Sequence, residues 1–367
     1  MMTPKTSGAF ILLLASLFAP SLAAQEMLYL SSGDAIEVKK VNDQTGALTN
    51  VQKVELKGIS VFTFSHNKKF LYARALINGK RKQNSIATYT VSDSGRLTLI
   101  HNAPIDGKTT ELKSDASDQF IAGADYGKGA VSIWKLDNGV YKGELVQQVK
   151  LEQKAHAARF SPDNNMLFVP ATGPNKIFQL SFDNATGKVE QIDPALGPQK
   201  GALQPRHLLF HPTLNVAYST QERMQPGVAI WQVTAGGTLT LSQTLTNSDD
   251  TTGRITNADL HMSPDNKFLY ISSRDQQKQF DQIIAYKIHP TSGQLILVEK
   301  FASEHFPRSF TINKRGDFLY VAGQKEDKLG VYQRDKETGH LTKVEQYNTG
   351  KNPIWVETLI LESKEKQ

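Results

Sequence analysis

Cysteine is absent from all 367 residues. That excludes a disulfide framework, and with it any zinc or iron–sulfur centre held by thiolates. Blocks of like charge are also missing: 42 basic and 36 acidic residues are interleaved, leaving a net charge of +6. Without a basic tract there is no footprint for nucleic acid, and a small anionic ligand suits the sign as well. Past residue 24 no apolar run reaches the ~18 residues of a membrane span, so no permanent span is expected. No useful stripe of apolar residues recurs at helical spacing. The 39% hydrophobic content is nevertheless ordinary for a chain with a packed core, which excludes disorder as the main state.

The first residues have a different character. Lys5 is the only charged residue before Gln25, Ala9 to Ala19 is apolar but for Ser16, and Ser21-Leu22-Ala23 is a small-x-small triplet after Pro20. A short apolar segment with these flanks is the pattern of an export signal. The expected boundaries are a signal peptide at 1–23 and one domain at 24–367, with a monomeric protein delivered to a periplasm.

The remaining chain is periodic. Strand-like segments begin at Met27, Phe70, Phe120, Leu167, Val216, Phe268 and Phe318, a repeat of about 50 residues, which is the period of a propeller blade. Turn signals keep the same phase. Ser161-Pro162-Asp163-Asn164, His211-Pro212-Thr213-Leu214 and Ser263-Pro264-Asp265-Asn266 precede three of the segments, and proline at the second position presets φ for a type I turn. Each unit also carries a glycine about 20 residues on, at a position where a hairpin needs φ > 0: Gly46, Gly95, Gly139, Gly187, Gly237, Gly293 and Gly339. The expected fold is all-β, a seven-bladed β-propeller. If the repeated segment is the second strand outward from the axis, the N-terminal blade lacks its innermost strand. Pro353 to Leu359 then supplies that strand and closes the ring, which leaves no open edge.

That geometry locates the chemistry. The start of each innermost strand and the end of its neighbour lie on one face, beside the central channel. Counting six residues back from the turn proline places His156, Arg206 and Arg308 there. Counting six residues on from the start of the repeated segment adds Tyr126, Glu222, Arg274 and Gln324. An excess of arginine around one glutamate and one titratable histidine suits an anion or a developing oxyanion. A water-filled structural channel with Arg–Glu pairs is the alternative account of the same residues. Arg159 and His207 are expected to point away from this cluster and His211 to serve its turn, while the register leaves the placement of His261 open.

The segments Ala155–Asp163, Gln204–Pro212, Ala124–Gly127, Ala258–His261 and Ala322–Lys325 together resemble the seven-bladed lactonase family, most of all its bacterial cytoplasmic 6-phosphogluconolactonases. The resemblance covers nearly the whole chain after residue 23. It also extends to the fungal carboxymuconate cyclases, whose key histidine, two arginines and glutamate match His156, Arg206, Arg274 and Glu222. Gln221-Glu222 stands where the family usually has Asn-Glu, and the export signal is a second departure. The resemblance implies hydrolysis of a sugar lactone without metal or cofactor, catalysed by His156, Arg206, Glu222 and Arg274. Arg308, Tyr126, Gln324 and His261 would bind the substrate. A cyclase on the same groups and a non-catalytic binding propeller are the alternatives. A calcium-dependent six-bladed lactonase is disfavoured, because only Glu222 and Asp259 offer carboxylates near the centre. Export further implies an unphosphorylated aldonolactone.

Overall fold

A computed structural model describes residues 24–80, 83–196 and 204–361. The expected signal segment, residues 1–23, lies outside the described residues. Among the described residues, twenty-eight strands form seven four-stranded antiparallel sheets, the blades of a propeller, and the only described helix is a single 3-10 turn at Ile77–Gly79. We letter the strands of each blade A to D from the axis outward.

Burial explains the sequence repeat. The B strands, such as Phe268–Asp275 and Val216–Gln221, are buried along their whole length, because neighbouring blades cover both faces. They therefore read as continuous apolar runs rather than alternating ones. The D strands are more exposed, and Leu341–Asn348 is mostly exposed and carries charge. Every C–D pair contains a register shift. Bulges of this kind twist an outer edge away from foreign strands.

In five of the seven blades the tyrosine of the repeated motif ties one blade to the next. Tyr29 donates its hydroxyl hydrogen to the carbonyl of Gly95 at 2.8 Å, Tyr72 to Gly139 at 2.8 Å, and Tyr218 to Gly293 at 2.8 Å. Tyr270 donates to Gly339 at 2.9 Å and Tyr320 to Gly46 at 3.0 Å, the latter crossing the seam of the ring. The acceptors are the hairpin glycines read from the sequence. At Gly293 φ is +70°, and a Cβ would stand 2.7 Å from Val216 Cγ2 and 3.1 Å from the Tyr218 hydroxyl. Both the left-handed backbone and the close approach require glycine there. Blade 3 has Ala122 in place of the tyrosine. In blade 4 strand B begins at Met166, one residue before the motif read from the sequence, and Phe168 stands in that place.

The ring closes as the sequence implies. Trp355–Leu361 pairs antiparallel with Gln25–Ser32, from Ser31 opposite Trp355 to Gln25 opposite Leu361. It becomes strand A of the N-terminal blade. His211 also has its expected role, its Nδ1 accepting the backbone N–H of Leu214 at 3.0 Å and of Thr213 at 3.2 Å. No described helix is long and apolar enough to cross a membrane.

The inter-blade bond yields a prediction. Tyr218→Phe leaves the buried Gly293 carbonyl unpaired, which costs about 1–3 kcal/mol. Chemical denaturation should register that loss, and an unchanged unfolding midpoint would contradict the role assigned to the hydroxyl.

Candidate active site

Strand A of most blades is not a regular strand where it meets the axis. In blades 3, 5, 6 and 7 the A–B register shifts by one residue near the channel mouth. In blade 5 the shift falls between Pro205 and Leu208, so Arg206 and His207 together face a single partner residue. A bulge breaks the strict alternation of side chains and re-aims them. Both Arg206 and His207 therefore reach the centre, and each is buried.

His156 precedes the short strand Arg159–Phe160. Its N–H donates to the Pro170 carbonyl at 2.8 Å and its own carbonyl accepts the Thr110 hydroxyl at 2.9 Å, which ties it to blade 3. Glu222 follows strand B of blade 5. Its N–H donates to Gln204 and its carbonyl accepts the Asn257 N–H, both at 3.0 Å, so it is clamped between blades 5 and 6.

The guanidiniums are held from behind. Arg274 Nη2 donates to Glu222 Oε1 and to the Asn257 carbonyl, each at 3.0 Å, and the group lies 5.0 Å over the Phe306 ring. Arg206 Nη1 donates to the Ala258 carbonyl at 2.6 Å and contacts His207 Nε2 at 3.0 Å. Arginine has only donors, so His207 Nε2 is the acceptor and the ring is neutral. Its proton is thereby assigned to Nδ1, which donates to Asp259 Oδ1 at 2.9 Å. Asp259, His207 and Arg206 thus form one chain in which a buried carboxylate sets the tautomer that holds the arginine.

Charge accumulates at this point. Burial, reinforced by the neighbouring arginines, brings Arg206, Arg274 and Arg308 each down to about 10, so all three stay charged at neutral pH. Burial would raise Glu222, but Arg274, Arg206 and Arg223 outweigh it and hold the carboxyl below its ordinary value. Burial, followed by Arg206, His207, Arg308 and Arg274, pushes His156 well below the usual histidine range. The centre at neutral pH is therefore a neutral imidazole and a carboxylate among three cations. His156 Nδ1, Arg206 Nε and Arg274 Nε are buried with no hydrogen-bond partner. Each is a polar atom left without a partner inside the protein.

The structure brings together His156, Arg206, Glu222, Arg274 and Arg308, with Tyr126 edge-on to His156 at a ring distance of 5.8 Å. Gln324 stands at the same mouth but donates its amide to Asn352 Oδ1 at 2.8 Å, leaving its Oε1 buried and unpartnered. His261 is placed elsewhere. Its ring packs on Phe310 at 4.8 Å and reaches Asp259 Oδ2 at 3.4 Å from the far side, lining a separate cavity deeper along the axis. His207 corrects the sequence reading. It points inward, 5.2 Å from the His156 ring, because the bulge breaks the alternation on which that reading relied. Arg159 does face away, 2.6 Å from Glu111. Asp259, Asn257 and Phe306 were not legible as supports, since their roles depend on contacts between blades.

The pattern described as "Lactonase, 7-bladed beta-propeller" matches residues 26–358. A 6-phosphogluconolactonase of Yersinia enterocolitica is 31% identical over 341 residues, covering 91% of this chain and 98% of its own. The Yersinia pestis 6-phosphogluconolactonase is 32% identical over 338 residues, covering 90% and 97%. Among solved structures, a periplasmic gluconolactonase of Pseudomonas aeruginosa superposes with a TM-score of 0.81 at 22% identity, covering 92% of this chain and 100% of its own.

The buried imidazole has a measurable consequence. Unfolded histidine takes up its proton near pH 6.5, whereas His156 resists protonation to lower pH. Its contribution to stability is therefore complete above about pH 6.5 and is lost as the pH falls toward the folded value. His156→Gln should flatten the acid-side decline of the unfolding free energy relative to the wild type. Parallel declines would contradict a neutral, buried His156.

Proposed function

The chain belongs to the seven-bladed β-propeller lactonase family, and on that premise we propose that it is a periplasmic enzyme hydrolysing an unphosphorylated aldonolactone. Lactone hydrolysis follows from the family and from its 6-phosphogluconolactonase relatives. Two observations support the finer reading. The N-terminal sequence, with Lys5, the apolar stretch Ala9–Ala19 and Ser21-Leu22-Ala23, has the form of an export signal, and phosphorylated sugars are intermediates of the cell interior. The periplasmic gluconolactonase of Pseudomonas aeruginosa shares the fold.

The observation that carries the mechanism is the convergence of a neutral imidazole with an unpartnered nitrogen on three guanidiniums, two of them buried. Water attacks the ring carbonyl and gives its proton to His156 Nδ1, while negative charge develops on the carbonyl oxygen. Arg206 and Arg274 are fixed in advance by Ala258, His207, Asn257 and Glu222, and each keeps an uncommitted Nε–H for that oxygen. Preorganised donors of this kind contribute several kcal/mol to a barrier because they need no rearrangement as charge appears. Collapse of the intermediate breaks the bond to the ring oxygen, which takes the proton back from His156. Glu222 is engaged by Arg274 and held ionised, so its role is to fix that guanidinium. Arg308, partly open to solvent, receives the carboxylate of the product.

The test is pH-stat hydrolysis of glucono-1,5-lactone by residues 24–367, corrected for spontaneous hydrolysis. The wild type should accelerate the reaction, and His156→Gln should lower kcat by about 10²–10⁴-fold, the usual contribution of a general base. Glu222→Gln should lower it less, with circular dichroism showing both variants folded. Acceleration confined to 6-phosphogluconolactone would refute the unphosphorylated substrate. A larger loss in Glu222→Gln than in His156→Gln would exchange their roles.

A further inference from the structure

The same channel has a second chamber. Beyond Asp259, at the end of the axis where the A strands finish, lies a cavity of about 510 Å³ lined by strand A of six blades. Its volume falls in the range that holds a small molecule. Trp355, Phe160 and Phe210 form part of the wall. The ionisable lining groups are Lys113, Arg159, Lys314, His261, Asp259 and Glu357.

The charges in this chamber are unevenly satisfied. Arg159 is paired with Glu111 at 2.6 Å. Glu357 accepts the Trp355 indole N–H at 2.9 Å, and Asp259 is engaged by His207 and His261. Among the described residues, no hydrogen bond or ion pair reaches the ammonium of Lys113 or of Lys314. Lys113 feels Arg159 of blade 4, Glu357 of blade 1 and Lys314 of blade 7. A residue of blade 3 can meet all three only at the axis. Burial and then Arg159 lower its pKa, while the carboxylates of Glu357 and Glu111 act in the opposite sense.

We propose that this chamber is a second ligand site, separate from the catalytic centre, that binds a small organic acid through an oxyanion, carboxylate or phosphate, bridging the Lys113 and Lys314 ammonium groups. Trp355 and the phenylalanines face the carbon part of the ligand. Two ammonium groups without a hydrogen-bonded partner beside an apolar wall are recognition chemistry for an anion with a hydrocarbon body, since a hydrogen bond from a cation to an oxyanion is about twice as strong as a neutral one. Asp259 forms the partition, with one oxygen toward His207 and the catalytic arginines and the other toward His261.

Calorimetric titration of the whole protein with succinate and, separately, with inorganic phosphate tests the site. The Lys113→Met, Lys314→Gln double variant should weaken binding by at least about tenfold, the scale of losing charge-assisted contacts. Arg308→Gln, which alters only the catalytic mouth, should leave that binding intact. Binding of succinate alone or of phosphate alone, weakened in the double variant, supports the site and identifies the oxyanion. Absence of saturable binding of either probe overturns it, as does binding that survives the double variant and disappears in Arg308→Gln. Should the double variant fail to fold, exposed Lys314 allows the single Lys314→Gln variant to make the same comparison with a smaller loss.

Discussion

Closure of the ring is the constraint on which the rest of this structure depends. Seven blades can present their innermost strands to one axis only if the last blade meets the first. That contact is made by Trp355–Leu361 on Gln25–Ser32 and by the Tyr320 hydroxyl on Gly46. Once the ring is closed, each A strand has a neighbour on either side and little room. The bulges there are how short strands turn their side chains into the channel.

Crowding at the axis also accounts for the electrostatics. Three guanidiniums so close together would repel one another into solvent if they were free. Two of them instead have their burial and their neighbours' charge set against fixed partners. Glu222 and the Asn257 carbonyl compensate Arg274, while the Ala258 carbonyl and neutral His207 compensate Arg206. The compensation is incomplete: burial first, and then a neighbouring arginine, lowers each of the three. A site in that condition binds negative charge as it forms. The chamber beyond Asp259 repeats the logic with lysines.

Much of this was legible in the sequence because it is local and repeated. A buried B strand needs a continuous apolar run, a hairpin needs a left-handed glycine, and a turn needs its proline, so seven copies of each set the phase of the whole ring. Counting from those markers placed His156, Arg206, Glu222, Arg274 and Arg308 at one mouth. What could not be counted was the bulge. It inserts a residue without a sequence mark, so His207 was read as pointing outward and Asp259 was not read as its partner. His261 failed for a different reason. It stands two residues further along strand A than Asp259, a step of roughly 6–7 Å at the rise of a strand, enough to carry it past the partition.

The central claim is that the Arg206, Arg274, Arg308 and His156 cluster is where a lactone is opened. The most direct measurement is a crystal structure with an aldonate, the product of hydrolysis, bound. Its carboxylate should lie within hydrogen-bonding distance of Arg206 and Arg274 and reach Arg308, with His156 facing the hydroxyl that was the ring oxygen. An aldonate found only in the chamber of Lys113 and Lys314, or one whose carboxylate touches none of the three arginines, would contradict it.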